Sequence, residues 1–247
     1  GSGSESTYGP YKSISPFSVS KMHVHFENNY PFATFTKMTK EVEVSQWGNV
    51  AIEEHYHLKH TGAALTGPFS RVDLQRGRVG KSAFRTLTAR LPRAASAVYY
   101  RDAIGNISTS HLGVRKDHQQ LDIDPRFPMF GGWKTEFLIG YSLPASKTLS
   151  VSLDNPNLHV LNLTFSSSFT IGVIDRMTMR VVLPEGATNI QYVAPFEIED
   201  VSMDTRFTYL DTVGRPVLVL KKSNLCKYHN QYFQVTVMVP QVIRVPV

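Results

Sequence analysis

The chain has 247 residues, enough for one large domain or two small ones with a hydrophobic core. Hydrophobic residues make up 42% and charged residues 19%, which excludes a disordered charged tail, a coiled coil and a collagen-like repeat. The net charge of +6 favours anionic partners, and the single cysteine, Cys226, excludes an internal disulfide and most structural zinc sites.

The first ten residues are interpreted as a tag and linker, because Gly1-Ser2-Gly3-Ser4 has the composition of a flexible fusion segment. Residues 11–247 are then expected to form a single β-rich domain. No apolar run reaches the ~18 residues of a membrane-spanning helix, and no signal peptide is recognised.

Segments with a period of two residues follow one another along the chain, and several end at proline or glycine. They predict strands at residues 42–54, 84–91, 97–101, 112–114, 121–124, 137–143, 151–153, 158–165, 177–183, 190–193, 205–209, 217–222 and 231–239. Residues 169–176 are the best candidate for a short helix, and the proline- and glycine-rich segment 125–132 is the candidate hinge. Strands without crossover helices predict an all-β fold of antiparallel sheets packed as a sandwich or saddle, with little helix.

Residues 75–82 end in Gly-Lys-Ser, as a phosphate-binding P-loop does. That loop needs glycine where Gln75 stands and a helix after it, whereas residues 83–91 are predicted to be extended. We therefore interpret this segment as a flexible basic loop.

Glu53, His55 and His57 share one face of a predicted strand, and His-x-His on a strand is a known zinc-binding pattern. A zinc site needs further ligands and groups that orient the histidines, and histidines on exposed strands are much commoner than ligands. We predict no metal, no cofactor and no catalytic residue, since a Gly-x-Ser-x-Gly nucleophile motif is also missing. A zinc hydrolase built on His55 and His57 is the alternative.

The segment from Arg71 to Arg93 contains seven basic residues and one acidic residue, Asp73. Lys81, Arg85 and Arg93 are predicted to point to one side of a strand. They form either a charged edge that prevents aggregation or a surface that docks an acidic protein or an anionic membrane. Nucleic acid is not predicted as a partner, because aromatic residues do not alternate with these charges.

Residues 125–134 combine two prolines, paired glycines and four large apolar side chains. They predict a structural junction in which Trp133 fills the core, so that Trp133→Ala should cost about 3–5 kcal/mol. The alternative is an exposed aromatic platform for a sugar or a peptide.

Two sequons predict N-glycosylation, at Asn106 and at Asn162. Asn106 follows Gly105 in a predicted turn, where an oligosaccharide has room to project. Asn162 lies within an apolar strand, so its modification depends on the face that it occupies.

Eight sequence blocks, in order from about residue 24 to 220, resemble the ribophorin I family. They are EVSQWGNV (43–50), LKHTG (58–62), GPFSR (67–71), VYYRD (98–102), GNISTSHL (105–112), PRFPMFGGWKT (125–135), LPEGA (183–187) and YLDTVGRP (209–216). The resemblance is to the second, membrane-proximal luminal half of the family, which implies a piece cut from a longer protein. His55 and His57 fall outside the blocks.

The resemblance implies a non-catalytic subunit of the endoplasmic-reticulum oligosaccharyltransferase complex. Such a subunit helps to assemble the complex and to present nascent chains, while another subunit carries the active site. The implied partners are the other subunits, nascent polypeptides and the translocon. The full-length protein would be anchored in the endoplasmic-reticulum membrane with this domain in the lumen.

The resemblance also implies glycosylation at Asn106 and a fold similar to the saddle-like β domain of some aminopeptidases. The alternative is a free-standing carbohydrate- or protein-binding β-sandwich of the secretory pathway.

Overall fold

A computed structural model describes residues 9–24, 28, 30–76, 82–209 and 211–239. Strands dominate these residues, which confirms the all-β prediction. The strands are β1 (Ala33–Val44), β2 (Asn49–His60), β3 (Leu87–Pro92), β4 (Ser96–Asp102), β5 (His111–Val114), β6 (His118–Ile123), β7 (Lys134–Pro144), β8 (Leu149–Val151), β9 (Leu158–Thr164), β10 (Val173–Val182), β11 (Thr188–Val193), β12 (Asp200–Arg206), β13 (Arg215–Leu225) and β14 (Tyr232–Met238). Helix is confined to α1 (Arg71–Gln75), α2 (Ala145–Thr148) and a 3-10 turn at Lys227–His229 in the described residues.

The strands form three sheets. A seven-stranded sheet has the order β12-β13-β10-β1-β2-β7-β4, and the smaller sheets have the orders β11-β14-β9-β8 and β3-β6-β5. Pairing is antiparallel except between β1 and β10, where Phe35 lies beside Ile174 in a parallel ladder. The mostly antiparallel pairing of the described strands confirms the predicted fold class. The β1–β10 pair is the parallel exception among them, since the chain reaches β10 from β8 and β9 of the four-stranded sheet and not through a hairpin with β1.

The inner face of the seven-stranded sheet packs against both smaller sheets. Alternate residues of β1 and β2, such as Met38, Ile52 and Tyr56, are almost fully buried. Phe169 lies where the sheets meet: it forms a bridge with Ala89 of β3, and its ring centroid is 5.0 Å from that of Tyr56. The three sheets therefore share one hydrophobic core.

The helix proposed for residues 169–176 is wrong. Gly172 has a φ of +84°, and a Cβ at this position would lie 2.6 Å from the carbonyl oxygen of Ala33. Gly172 therefore allows the backbone to pass close to that of Ala33 in a conformation that a helix does not have. The strand β10 begins at the next residue, Val173.

The candidate hinge at 125–132 is fixed to the rest of the domain. Met129 and Phe84 exchange backbone hydrogen bonds of 2.9 and 3.0 Å, and Gly131 bridges to Ala64. A Cβ on Gly131 would lie 1.8 Å from the carbonyl oxygen of Ala63, so only glycine fits there. The segment is therefore a packed crossing between strands.

Candidate functional site

The most concentrated chemistry in the domain is a buried polar cluster on the inner face of the seven-stranded sheet. Lys40 of β1 and Glu54 of β2 form an ion pair of 3.0 Å with almost no solvent exposure. The Glu54 carboxylate also accepts hydrogen bonds from Tyr56, from Tyr141 at 3.3 Å and from the backbone N–H of Ser168 at 3.2 Å. Donors from three strands and the β9–β10 connection therefore converge on one carboxylate.

Lys40 connects the cluster to the four-stranded sheet that contains β9. Its ammonium donates to the Thr164 hydroxyl at 3.3 Å and to the Ser166 carbonyl at 3.1 Å. Burial acts to raise the pKa of Glu54, but the Lys40 charge and the hydrogen bonds outweigh it and lower the pKa. Burial, together with the Glu54 charge, raises the pKa of Tyr56 and Tyr141. Glu54 is therefore ionised, and its carboxylate holds the surrounding donors in place. It is buried and has no accessible proton to exchange.

The sequence patterns did not identify this cluster, although they contained a signal for it. Lys40 stands between Met38 and Val42, and Glu54 between Ile52 and Tyr56, at buried positions that alternate with half-buried residues. A charged side chain at an inward position in each of two adjacent strands predicts a buried ion pair.

Glu53, His55 and His57, the residues of the zinc alternative, lie on the opposite, outward face of β2. The His55 imidazole is 3.4 Å from the Glu53 carboxylate, and the His57 imidazole is 2.8 Å from that of Glu136. Each histidine thus has its own carboxylate partner. No group of three or more potential metal ligands occurs within the described part of the chain.

Paired charges also cover this outward face. The Arg206 guanidinium binds Glu41, and Arg215 binds Glu43 at 2.8 Å. A cavity of about 160 Å³ lies among these groups and Tyr99. Burial and a hydrogen bond to Glu53 raise the pKa of Tyr99 to about 12, so the phenol stays protonated. The face can bind polar groups, but its acids are held in ion pairs.

The predicted basic surface is only partly assembled. Lys81 lies outside the described residues. Arg85 and Arg93 are exposed, but β3 spans Leu87–Pro92 only, so neither lies on the strand and the prediction of a shared strand face is wrong. Pro92 ends the strand, and Arg93 turns away to donate to the Lys116 carbonyl.

Asn106 is exposed next to a tight turn. The Asp102 carboxylate accepts from the backbone N–H groups of Ile104 and Gly105 at 2.9 and 3.0 Å, and hydrogen bonds from Arg126 are the main cause that lowers its pKa to about 2. The Asn106 side-chain oxygen accepts from Arg101 at 2.7 Å, which leaves the side-chain nitrogen facing outward from this contact.

Asn162 occupies a different environment. It lies in β9 opposite Gln234 of β14 and is half-buried. The hydroxyl of its sequon, on Thr164, accepts from the buried Lys40. The second sequon is therefore part of a packed sheet in the folded domain.

Trp133 belongs to an aromatic cluster. Its ring centroid lies 5.2 Å from Phe130, 5.5 Å from Phe69 and 5.9 Å from Phe127. Phe130 is buried, Trp133 is half-buried, and Phe69 and Phe127 are exposed. The cluster extends from the core to the surface.

These features define the class of protein: an all-β fold that pairs the buried charges Lys40 and Glu54 with each other and carries an exposed sequon at Asn106. The chain belongs to the ribophorin I family, whose sequence model matches residues 1–243. No helix among the described residues is long and apolar enough to cross a membrane.

Curated relatives are oligosaccharyltransferase subunits by name. The chain is 46% identical over 94% of its length to dolichyl-diphosphooligosaccharide–protein glycosyltransferase subunit 1A of Arabidopsis thaliana, and covers 38% of that protein. It is 47% identical over 94% to subunit 1B of Oryza sativa, covering 49%, and 43% identical over 93% to subunit 1 of Caenorhabditis elegans, covering 39%. The chain therefore spans between 38% and 49% of the length of these relatives.

Among solved structures, an M1 zinc metallopeptidase from Deinococcus radiodurans matches 84% of this chain and 42% of its own. The sequence identity is 10% and the TM-score 0.48. A putative protease from Parabacteroides distasonis matches 84% of the chain and 40% of its own, with 10% identity and a TM-score of 0.42.

Proposed function

We propose that the chain is a non-catalytic part of subunit 1 of an oligosaccharyltransferase complex and supports N-linked glycosylation of proteins. The identity of 43–47% over 93–94% of the chain to proteins of that name carries this proposal. Its role is to help assemble the complex and to present nascent chains to a catalytic subunit. Its partners are the other subunits, nascent polypeptides and the translocon.

The state of the carboxylates supports a non-catalytic role. Glu54 is buried against Lys40, and Glu41 and Glu43 are held by arginines. Glu54 is a poor general base, because it is fully buried and the neighbouring Lys40 charge and hydrogen bonds lower its pKa. The carboxylates of Glu41 and Glu43 are each occupied by an arginine. The chain alone should transfer no oligosaccharide to an acceptor peptide, and measurable transfer would contradict the proposal.

We further propose that residues 11–247 form one luminal domain of a protein anchored in the endoplasmic-reticulum membrane, with residues 1–10 as a tag and linker. The exposed position of Asn106 supports exposure to a glycosylating compartment.

Copurification tests the proposal. The full-length protein, carrying an affinity tag, would be purified from cells in mild detergent and its partners identified by mass spectrometry. We expect other oligosaccharyltransferase subunits to copurify with this protein. They should not copurify with an equally tagged, unrelated luminal protein. Recovery of the protein without them would favour the free-standing carbohydrate- or protein-binding β-sandwich.

A further inference from the structure

The net charge of this chain is concentrated in one segment. Seven of the 26 basic residues lie between Arg71 and Arg93, together with one of the 20 acidic residues. The remaining nineteen basic and nineteen acidic residues balance, so this segment alone accounts for the net charge of +6. Such segregation creates a local positive potential that a uniform distribution would not produce.

The described start of this segment presents cations and apolar groups together. The helix α1 (Arg71–Gln75) buries none of its residues, and its N-terminal cap is Ser70, whose hydroxyl accepts from the Asp73 N–H at 3.2 Å. Arg71 and Arg76 are exposed, and so is Val72, at 53%. Phe69, just before the helix, is 41% exposed.

The aromatic cluster extends this surface across the domain. Trp133 lies between the rings of Phe69 and Phe127, and Phe127 is 40% exposed. The antiparallel bridge between Phe84 and Met129 brings Arg85 alongside the segment that carries Phe127. We call the six exposed residues of this region the arginine–aromatic surface: Phe69, Arg71, Val72, Arg76, Arg85 and Phe127.

We propose that the arginine–aromatic surface docks the domain onto the surface of a bilayer that contains anionic lipids. Arginines bind lipid phosphates and carboxylates, while exposed phenylalanine and valine side chains enter the boundary between headgroups and acyl chains. Charge complementarity supports this partner, since the surface lies at the one segment that carries the net positive charge. The one acid of the segment, Asp73 on α1, leaves a net charge of +6, and Asp102 is held by Arg126, the residue before Phe127.

The choice of a bilayer over an acidic protein rests on the proposed function. The relatives' names describe a glycosyltransferase that uses a dolichyl-diphosphate-linked oligosaccharide, a lipid-linked donor. A domain that works beside such a donor operates close to a membrane surface. The docking surface would set the distance and orientation of the domain relative to that membrane.

Vesicle binding tests this proposal with the 247-residue chain. Flotation would be measured with phosphatidylcholine vesicles and with vesicles that also contain phosphatidylserine, at low and high salt. We expect binding only to the anionic vesicles and its loss at high salt. Arg71→Gln with Arg76→Gln should weaken it about 25-fold, at roughly fivefold for each charge. Val72→Ser should weaken it by about threefold.

A charge-matched control separates a defined surface from overall charge. Lys147 and Arg176 are exposed and lie outside the segment, so Lys147→Gln with Arg176→Gln should change vesicle binding by less than about twofold. Equal losses in the two double variants, or no binding to anionic vesicles at low salt, would overturn the proposal. Unchanged thermal unfolding of the variants verifies their fold. Copurification with other subunits is a separate readout, so failure here is distinguishable from failure of the proposed function.

Discussion

Lys40 and Glu54 are directly opposite each other in the β1–β2 hairpin, and both side chains point into the core. The pair links three parts of the fold, because Glu54 holds donors from β2, β7 and the β9–β10 connection, and Lys40 reaches Thr164 of β9. A register shift of one residue in the hairpin would move one of the two charges to the outward face and leave the other buried without its partner. The pair therefore specifies strand register and the position of the second sheet.

Replacing Glu54 should be severely destabilising. Glu54→Gln leaves the Lys40 charge buried without a counterion and should lower the free energy of unfolding by about 3–5 kcal/mol, measured with urea. The double variant Lys40→Met with Glu54→Gln should be more stable than Glu54→Gln alone, because it removes the uncompensated charge. Strictly additive losses would contradict this account. The neighbouring Glu53 is half-buried on the outward face and supplies a control: Glu53→Gln should cost about 1 kcal/mol, which is less than Glu54→Gln.

The same pair predicts a response to acid. The folded state lowers the pKa of Glu54 below its ordinary value of 4.5, so ionised Glu54 stabilises the fold at pH values above 4.5. This stabilisation is lost as the pH falls below 4.5 and through the lowered folded value. Unfolding free energies measured from about pH 6 to about pH 3 should therefore fall more steeply for the wild type than for Glu54→Gln. Parallel curves would show that Glu54 does not contribute.

The members of the aromatic cluster should contribute to the free energy of unfolding according to how deeply each is buried. Phe130→Ala removes a ring that is 1% exposed and should cost about 3–5 kcal/mol. Trp133 is half-buried. Trp133→Ala should therefore lower the free energy of unfolding by about 2 kcal/mol, which is less than the value of about 3–5 kcal/mol predicted from the sequence. Thermal or urea unfolding measures both. An unchanged stability in Trp133→Ala, together with loss of glycan or peptide binding, would instead identify an exposed aromatic platform.

Asn106 should carry an oligosaccharide when the chain is made in a eukaryotic secretory pathway. Its exposed side chain and the neighbouring turn leave room for modification, whereas Asn162 is half-buried and Thr164 is bound to Lys40. Peptide mapping should find a higher occupancy at Asn106 than at Asn162, and Asn106→Gln should remove the mass of one glycan. An unmodified Asn106 in secreted material would argue against the luminal assignment.

Glu53, His55 and His57 should not retain zinc. The two histidines are each paired with a separate carboxylate on an exposed sheet face, which does not order the three ligands around one ion. Elemental analysis after purification without added metal should give far less than one zinc per chain. A stoichiometric zinc content that His55→Ala abolishes would reverse this interpretation.

Alternation of apolar and polar residues predicted the longer strands such as β2 and β10 well, because these strands place one face on the core. The ends of the strands were harder to predict. Residues Lys134, Thr135 and Glu136 are too polar for an apolar pattern, yet they belong to β7 because they pair with Lys59, Leu58 and His57 of β2. Pairing with a neighbour extended the strand beyond the hydrophobic signal.

The candidate sites also divide into those that a short sequence segment specifies and those that depend on contacts between distant residues. The turn at Asn106 was predictable, since Gly105 and Asn106 specify it locally. The buried Lys40–Glu54 pair depends on hairpin register, and the contact of Phe127 with Trp133 depends on the path of residues 125–134 around paired glycines. Neither property is encoded in a short sequence window.

The parallel pairing of β1 with β10 has a consequence for how the chain folds. Phe35 and Ile174 are neighbours in the ladder although about 140 residues separate them along the chain. During synthesis, β1 and β2 emerge before the other strands of these sheets and can form their hairpin, but the other edge of β1 has no partner until β10 is released. Contacts of such long sequence separation form slowly and leave unpaired strand edges exposed meanwhile. The central sheet thus closes late, and the early hairpin needs protection from aggregation while the chain is still growing.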